Sequence, residues 1–241
     1  MLIHEVIEFA AVKHRDQARK GTDTPYIVHP MEVMYILAEN GCDETIIAAG
    51  LLHDTVDDAG TTLKEIEEKF GKEVADIVAA ESEDKSKSWQ ERKQTTIDRL
   101  PNESFEAQLV CCADKLSNVR SMVCDYQKIG EKLWERFNAP KEKIAWYYGG
   151  IVDALSVLED YDMYLELKAA VQKMFGWSFM SWKRYISFVI IQTERRRCTM
   201  EKYDIENLKK RAEQGDTYAM LYLGNIYRFG KDDIEPDAEK A

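Results

Sequence analysis

One apolar run sets the terms for the rest of the chain. Phe105, Leu109, Cys112, Ala113, Leu116 and Val119 recur at three- and four-residue spacing, the period of a helix with a wide apolar face. Asp114 sits inside that run. A carboxylate among apolar neighbours is costly unless something pairs with it. Asp114 therefore either faces solvent or meets a counter-group from elsewhere in the chain. Asn118 and Ser121 follow it at spacings that put all three on one face of the helix.

The same period recurs up to Phe175, and no alternating strand pattern interrupts it. A first helix is predicted over residues 2–18, with His14, Arg15, Gln17, Arg19 and Lys20 crowding its end and Gly21 as a stop. Pro30 suits the first position of a helix that continues from Met31 to Asn40, so His29 stands at a helix mouth. Asp43 can cap a helix running through Ile46, Ile47 and Leu51 to His53 and Asp54. Thr62 and Glu65 have capping-box spacing and open a helix to Phe70. Further helices are predicted from Val74 to Ala80, from Trp89 to Leu100, from Pro140 to Leu158 and from Tyr161 to Phe175. Glu81–Ser88 reads as a polar loop. The class is all-α, with residues 1–175 as the main domain. Beyond it, residues 176–203 read as a linker helix carrying the charge run Glu194–Arg197, and 204–241 as a helical hairpin in which Ala212, Gly215, Ala219, Leu223, Gly224 and Gly230 place mostly small residues where two helices can pack closely.

Within this frame, Gly50–Asp58 concentrates chemistry. An apolar helical run ends in His53-Asp54, and Asp57 and Asp58 follow about one turn later. An imidazole and a carboxylate side by side can share a divalent ion, and further carboxylates can aim a water at whatever it holds. Alone, the dipeptide is a weak motif and acids usually form a solvated face. The chain supplies two further donors, His29 and Asp114. Two imidazoles and two carboxylates suit a borderline to hard ion such as manganese.

Net charge bounds the partners. Lys plus Arg total 33 and Asp plus Glu total 44, giving −11. This argues against a general nucleic-acid binder, which needs basic surface to displace counterions, while a local basic cluster can still take a small anion. The five cysteines are odd in number and form no CxxC, so reduced thiols and a cytoplasmic setting are expected. No basic, apolar leader opens the chain. The apolar patch from Tyr185 to Gln192 is too short to span a bilayer.

Four ordered blocks carry a resemblance. They are His14–Lys20, Pro25–Pro30, Leu51–Asp58 and Asp114–Arg120, with Ala145–Tyr148 as a fifth, later signature. Together they resemble the HD-domain alarmone hydrolases of the RelA/SpoT type, over roughly residues 1–175. The resemblance implies a metal-dependent helical bundle holding one manganese ion through His29, His53, Asp54 and Asp114. It implies a guanosine tetra- or pentaphosphate substrate that loses its 3′-pyrophosphate to water. Asp58 would orient or deprotonate that water, assisted by Asp57, where the family usually has Glu. Arg19, Lys20, Tyr26, Asn118 and Ser121 would bind the nucleoside, and Lys85, Lys87, Arg92 or Lys93 would meet phosphates. Residues 204–241 separately resemble a single Sel-one-like repeat, a helical hairpin that offers a surface to a protein partner. A fold and a metal set do not fix the base. An adenosine alarmone, NADPH, or a binding module without turnover therefore stay open as alternatives.

Overall fold

A computed structural model of the chain describes residues 2–176 and Lys210. The expected linker helix and repeat hairpin lie outside the described residues, Gly176 and Lys210 excepted. Among the described residues there are helices and no strands, as the all-α reading expects, and a lone antiparallel bridge joins Ala18 to Pro25. No helix described is long and apolar enough to cross a membrane.

The helices follow the apolar period. They are α1 (Leu2–Lys13), α2 (Val28–Glu39), α3 (Glu44–Leu52), α4 (Thr55–Asp58), α5 (Leu63–Phe70), α6 (Lys72–Glu81), α7 (Trp89–Arg99), α8 (Phe105–Ile129), α9 (Lys141–Ala154) and α10 (Asp162–Phe175). The longest, α8, runs through the middle and packs against α2, α3, α6 and α10. Its buried face includes Leu109, Val110, Cys112, Leu116 and Val119, and Asp114 is buried with them. Asp43 caps α3 by accepting from the Ile46 amide at 3.0 Å. Thr62 caps α5 through the Glu65 amide at 3.1 Å. The Glu65 carboxylate does not return to the cap; it pairs with Lys13 of α1 at 3.2 Å. A full capping box stands at Ser88 and Glu91, at the start of α7.

Several boundaries differ from the sequence reading: α2 begins at Val28, so that Pro30 is its third residue rather than its first, α8 runs on to Ile129, and three helices end earlier than expected. The first helix ends at Lys13 rather than at residue 18. Beyond Lys13, the Arg19 amide donates to Thr24 O and the Tyr26 amide to Gln17 O, drawing the chain into the bridge. The buried His14 and Gln17 bond to one another at 2.6 Å. The helix expected to reach Asp54 stops at Leu52. There the His53 ring takes the Gly50 carbonyl at 2.7 Å and the Thr55 hydroxyl takes the Leu52 carbonyl at 2.7 Å. Side chains that bond to nearby carbonyls compete with the helical ladder, and the chain restarts as α4. The helix opened by Pro140 closes at Ala154, and Ser156–Leu158 continues as a short 3-10 turn.

At Gly50, α3 packs against α2 with no room for a side chain. A Cβ there would be too close to Leu37 Cδ1 and only 3.2 Å from Val33 Cγ1, both on α2. This contact sets the distance between the two helices that carry His29 and His53.

Candidate metal centre and nucleotide pocket

Three helix ends and one helix middle bring the four donors together. His29 comes from the first turn of α2, His53 and Asp54 from the break between α3 and α4, and Asp114 from the middle of α8. The Nε2 atoms of His29 and His53 are 3.2 Å apart. Asp114 Oδ1 is 3.1 Å from His29 Nε2 and 3.6 Å from His53 Nε2. Asp54 Oδ2 is 3.0 Å from His53 Nε2 and 3.5 Å from His29 Nε2. His29, His53 and Asp114 are each at most 4 % exposed, and their donor atoms all lie within 4.8 Å of one another.

The donor set fits a divalent ion. The Gly50 carbonyl can only accept, so His53 Nδ1 carries the proton and Nε2 turns toward the cluster. Two imidazole lone pairs and two carboxylates then crowd one point, where positive charge relieves their repulsion. The titration of the cluster shows the same demand. Burial works to lower His53, but Asp54 and Asp114 outweigh it and hold the imidazole well above its ordinary value. Burial works to raise Asp54, yet His53 and the hydrogen bonds from His29 and His53 keep it well below the usual carboxylate range. Asp114 is likewise held low against burial, by the Lys115 ammonium and then by both histidines.

Asp57 and Asp58 project from α4 beside this cluster rather than into it. Asp57 Oδ2 accepts from the Glu83 amide at 3.2 Å. Lys85 donates to the Asp57 carbonyl and lies 3.3 Å from Asp58 Oδ1. Gln17 Nε2 holds the Asp58 carbonyl at 2.5 Å. Asp58 is near enough to Tyr26 to help push its phenol upward, after burial and Asp54.

A cavity of about 580 Å³ opens against the cluster, and Arg19, Lys20, Tyr26, Asn118 and Ser121 all line it. Two of them touch the donor set directly. Tyr26 Oη donates to Asp54 Oδ2 at 2.6 Å, and Asn118 Nδ2 to Asp114 Oδ1 at 2.5 Å. Arg19 donates to Asn118 Oδ1 at 2.9 Å and lies over the Tyr26 ring. Lys20 reaches Asn138 Oδ1 at 3.0 Å. Sequence reasoning missed Arg136, Phe137 and Tyr148 in the wall of this cavity. Tyr148 alone had a signal, in the Ala145–Tyr148 block.

The four candidate phosphate cations differ in their partners. Lys85 is engaged with Asp57 and Asp58. Arg92 and Lys93 share Glu83 at 3.1 and 2.6 Å, and Lys93 also lies over Tyr147. Lys87 makes only a 3.9 Å approach to Asp84. A second cavity of about 210 Å³ is lined by Lys87, Arg92 and Arg99 together with the carboxylates Glu83 and Asp84 and by Ser82, Thr95 and Thr96. The Arg92 Nε and Ser82 Oγ atoms have no hydrogen-bond partner. Lys115 was not singled out from the sequence. It pairs with Asp114, and that carboxylate outweighs burial and keeps its ammonium well above the ordinary range.

A model of the HD domain matches residues 7–139. The chain belongs to the HD-domain family. The guanosine-3′,5′-bis(diphosphate) 3′-pyrophosphohydrolase MESH1 of Xenopus tropicalis is 45% identical to this HD protein over 124 residues, covering 50% of this chain and 69% of the relative. The guanosine-3′,5′-bis(diphosphate) 3′-pyrophosphohydrolase of Aquifex aeolicus is 32% identical over 214 residues, covering 85% of this chain and 30% of its own. Among solved structures, a metazoan orthologue of SpoT that hydrolyses ppGpp aligns with a TM-score of 0.58 and 30% identity, over 72% of this chain and 93% of its own. A protein of Listeria monocytogenes aligns at 0.59 and 34%, over 62% and 99%.

Proposed function

We propose that this HD protein is a pyrophosphohydrolase of guanosine tetra- and pentaphosphate, yielding GDP or GTP and pyrophosphate, with one manganese ion held by His29, His53, Asp54 and Asp114. One observation carries the reading: a cavity of nucleoside size is tied by direct hydrogen bonds, through Tyr26 and Asn118, to two carboxylates of a buried two-histidine cluster. The relatives' activity supports the same substrate.

When bound, the ion acidifies a water and polarises the phosphoryl oxygen. The chain does the rest. Arg19, Lys20, Asn118 and Ser121 offer donors to the base and ribose, and Arg19 keeps Asn118 turned so that its amide also fixes Asp114. Asp58 accepts the proton of the attacking water. Water oxygen joins the phosphorus on the ribose 3′ oxygen, the P–O3′ bond breaks, and the 3′ oxygen leaves and takes up a proton from solvent. Lys85 holds Asp57 and Asp58 in place, while Lys87, with only a 3.9 Å approach to Asp84, is the cation of the four freest to meet phosphate. We place the protein in the cytoplasm, in keeping with the free thiols of Cys42, Cys111, Cys112 and Cys124. We assign residues 204–241 to a protein partner.

The test is incubation with guanosine tetraphosphate after chelation, then after manganese is restored. GDP and pyrophosphate should form only in the second case. An adenosine alarmone and NADPH run in parallel should turn over more slowly. No turnover at high enzyme concentration refutes the activity, and tight nucleotide binding without turnover identifies a sensor instead. A faster rate on either other nucleotide moves the substrate assignment.

A further inference from the structure

The two histidines of the cluster are oriented by different means. His53 Nδ1 is fixed by a main-chain carbonyl, which no substitution removes. His29 Nδ1 lies 2.8 Å from the hydroxyl of Ser117, one turn beyond Asp114 on α8. A hydroxyl can donate or accept, so by itself Ser117 leaves the His29 tautomer undetermined. The next partner resolves it. Ser117 Oγ donates at 2.9 Å to Oε2 of Glu32, on the turn of α2 that follows His29. A carboxylate only accepts, so the single hydroxyl proton is committed to Glu32. Ser117 must then accept from His29 Nδ1–H, and the lone pair of His29 falls on Nε2, which faces Asp114 and His53. The chain continues outward. Glu32 Oε1 is 3.5 Å from Arg120, and Arg120 is clamped by Glu166 of α10 through two 2.7 Å hydrogen bonds.

We propose that Ser117 and Glu32 are positioning residues: together they fix the proton of His29 on Nδ1 and so present its Nε2 lone pair to the metal. This rests on the metal reading of the site. Neither residue is one of the proposed donors to the ion, although Glu32 also lines the cavity. Their effect passes through His29, as partners behind a metal-binding histidine commonly do.

The experiment uses the full chain, labelled with ¹⁵N at its four histidines. Long-range ¹H–¹⁵N spectra of the metal-free protein report which ring nitrogen of His29 carries the proton. Equilibrium dialysis against manganese reports affinity, and thermal melting of the metal-free protein reports folding. In the wild type, His29 should carry its proton on Nδ1. Ser117→Ala should let the Nε2-protonated form grow in and weaken manganese binding about 10- to 100-fold, with the metal-free melting temperature unchanged. Ser117→Thr keeps the hydroxyl and should restore both readouts. Glu32→Ala, at a half-exposed position, should weaken binding in the same direction, and it carries the test if the buried Ser117→Thr does not fold. A wild-type His29 protonated on Nε2 alone, or a Ser117→Ala variant that binds manganese as tightly as the wild type, overturns the proposal and leaves the metal reading standing. A wild-type protein that binds no manganese overturns the metal reading and this assignment with it.

Discussion

Gly50→Ala tests whether the contact between α2 and α3 sets the metal geometry. Two effects oppose each other. Replacing glycine by alanine inside a helix gains about 1 kcal/mol of helix propensity. Against this, the new methyl meets Leu37 Cδ1 and Val33 Cγ1. Both residues are fully buried, so neither can swing aside into solvent, and overpacking of this kind costs about 1–3 kcal/mol. The net is a loss of about 0–2 kcal/mol, and each kcal/mol lowers the melting temperature by about 2–4 °C for a folded region of this size. The larger effect falls on the ion. Relief of the clash moves α2 away from α3, which separates His29 Nε2 from His53 Nε2, now 3.2 Å apart. Gly150→Ala is the control: its methyl would meet Ile97 between α9 and α7, away from the cluster. Calorimetry of the metal-free proteins and manganese titration should show both variants slightly destabilised, but only Gly50→Ala with weakened binding. A Gly50→Ala protein that melts higher than the wild type and binds manganese normally would refute the reasoning.

Other substitutions divide the roles within the site. His53→Ala should abolish both manganese binding and turnover, measured by dialysis and pyrophosphate release. Asp58→Asn should keep manganese binding and lose about 10²- to 10⁴-fold in kcat; loss of the metal as well would make Asp58 a ligand. Glu81 gives a pH prediction. Burial raises its carboxyl from the ordinary 4.5 to about 7, with Lys115 the main opposing influence. The folded protein therefore holds a proton that the unfolded chain has released, and stability is lost as pH rises from about 4.5 to 7. Glu81→Gln should melt higher than the wild type at pH 8, by an amount that shrinks toward pH 5. A variant that melts lower at pH 8 would mean that charged Glu81 is stabilising, through Lys115.

Helices and caps were legible where the deciding interactions are local. Apolar period located the helices, and Asp43 and Thr62 marked two starts, because a cap acts within its own turn. The Ser88–Glu91 box was equally local and went unread. The end of the first helix was illegible because the backbone of its expected last turn pairs instead with that of Thr24 and Tyr26, and the end of the third because the side chains of His53 and Thr55 just ahead capture carbonyls of its last turn. The burial of Asp114 was an open alternative in the sequence; its resolution needed His29 and His53 from other helices, beside Asn118 one turn along α8. Lys115 was hidden for a different reason. Adjacent residues on a helix do not face each other, so its pairing with Asp114 has no spacing signature. Glu32 and Ser117 bond across 85 positions, which a single sequence does not reveal.

The acids after His53 divide according to what already holds them. Asp54 Oδ2 is taken by Tyr26 and faces both histidines, so it belongs with the donors. Asp57 Oδ2 accepts the Glu83 amide at the start of the Ser82–Ser88 loop, which anchors the cation-bearing segment to α4. That anchor suits the short reach of aspartate, and a glutamate at 57 would have to fold back to make it. Asp58 has a different partner, the half-exposed Lys85 at 3.3 Å, which a phosphate can draw away. Of the three, Asp58 alone keeps a carboxylate whose counter-ion is exchangeable for substrate. Asp57 is therefore tied to the loop that carries Lys85 and Lys87, which supports the proposal that Asp58, rather than Asp57, takes the proton of the water.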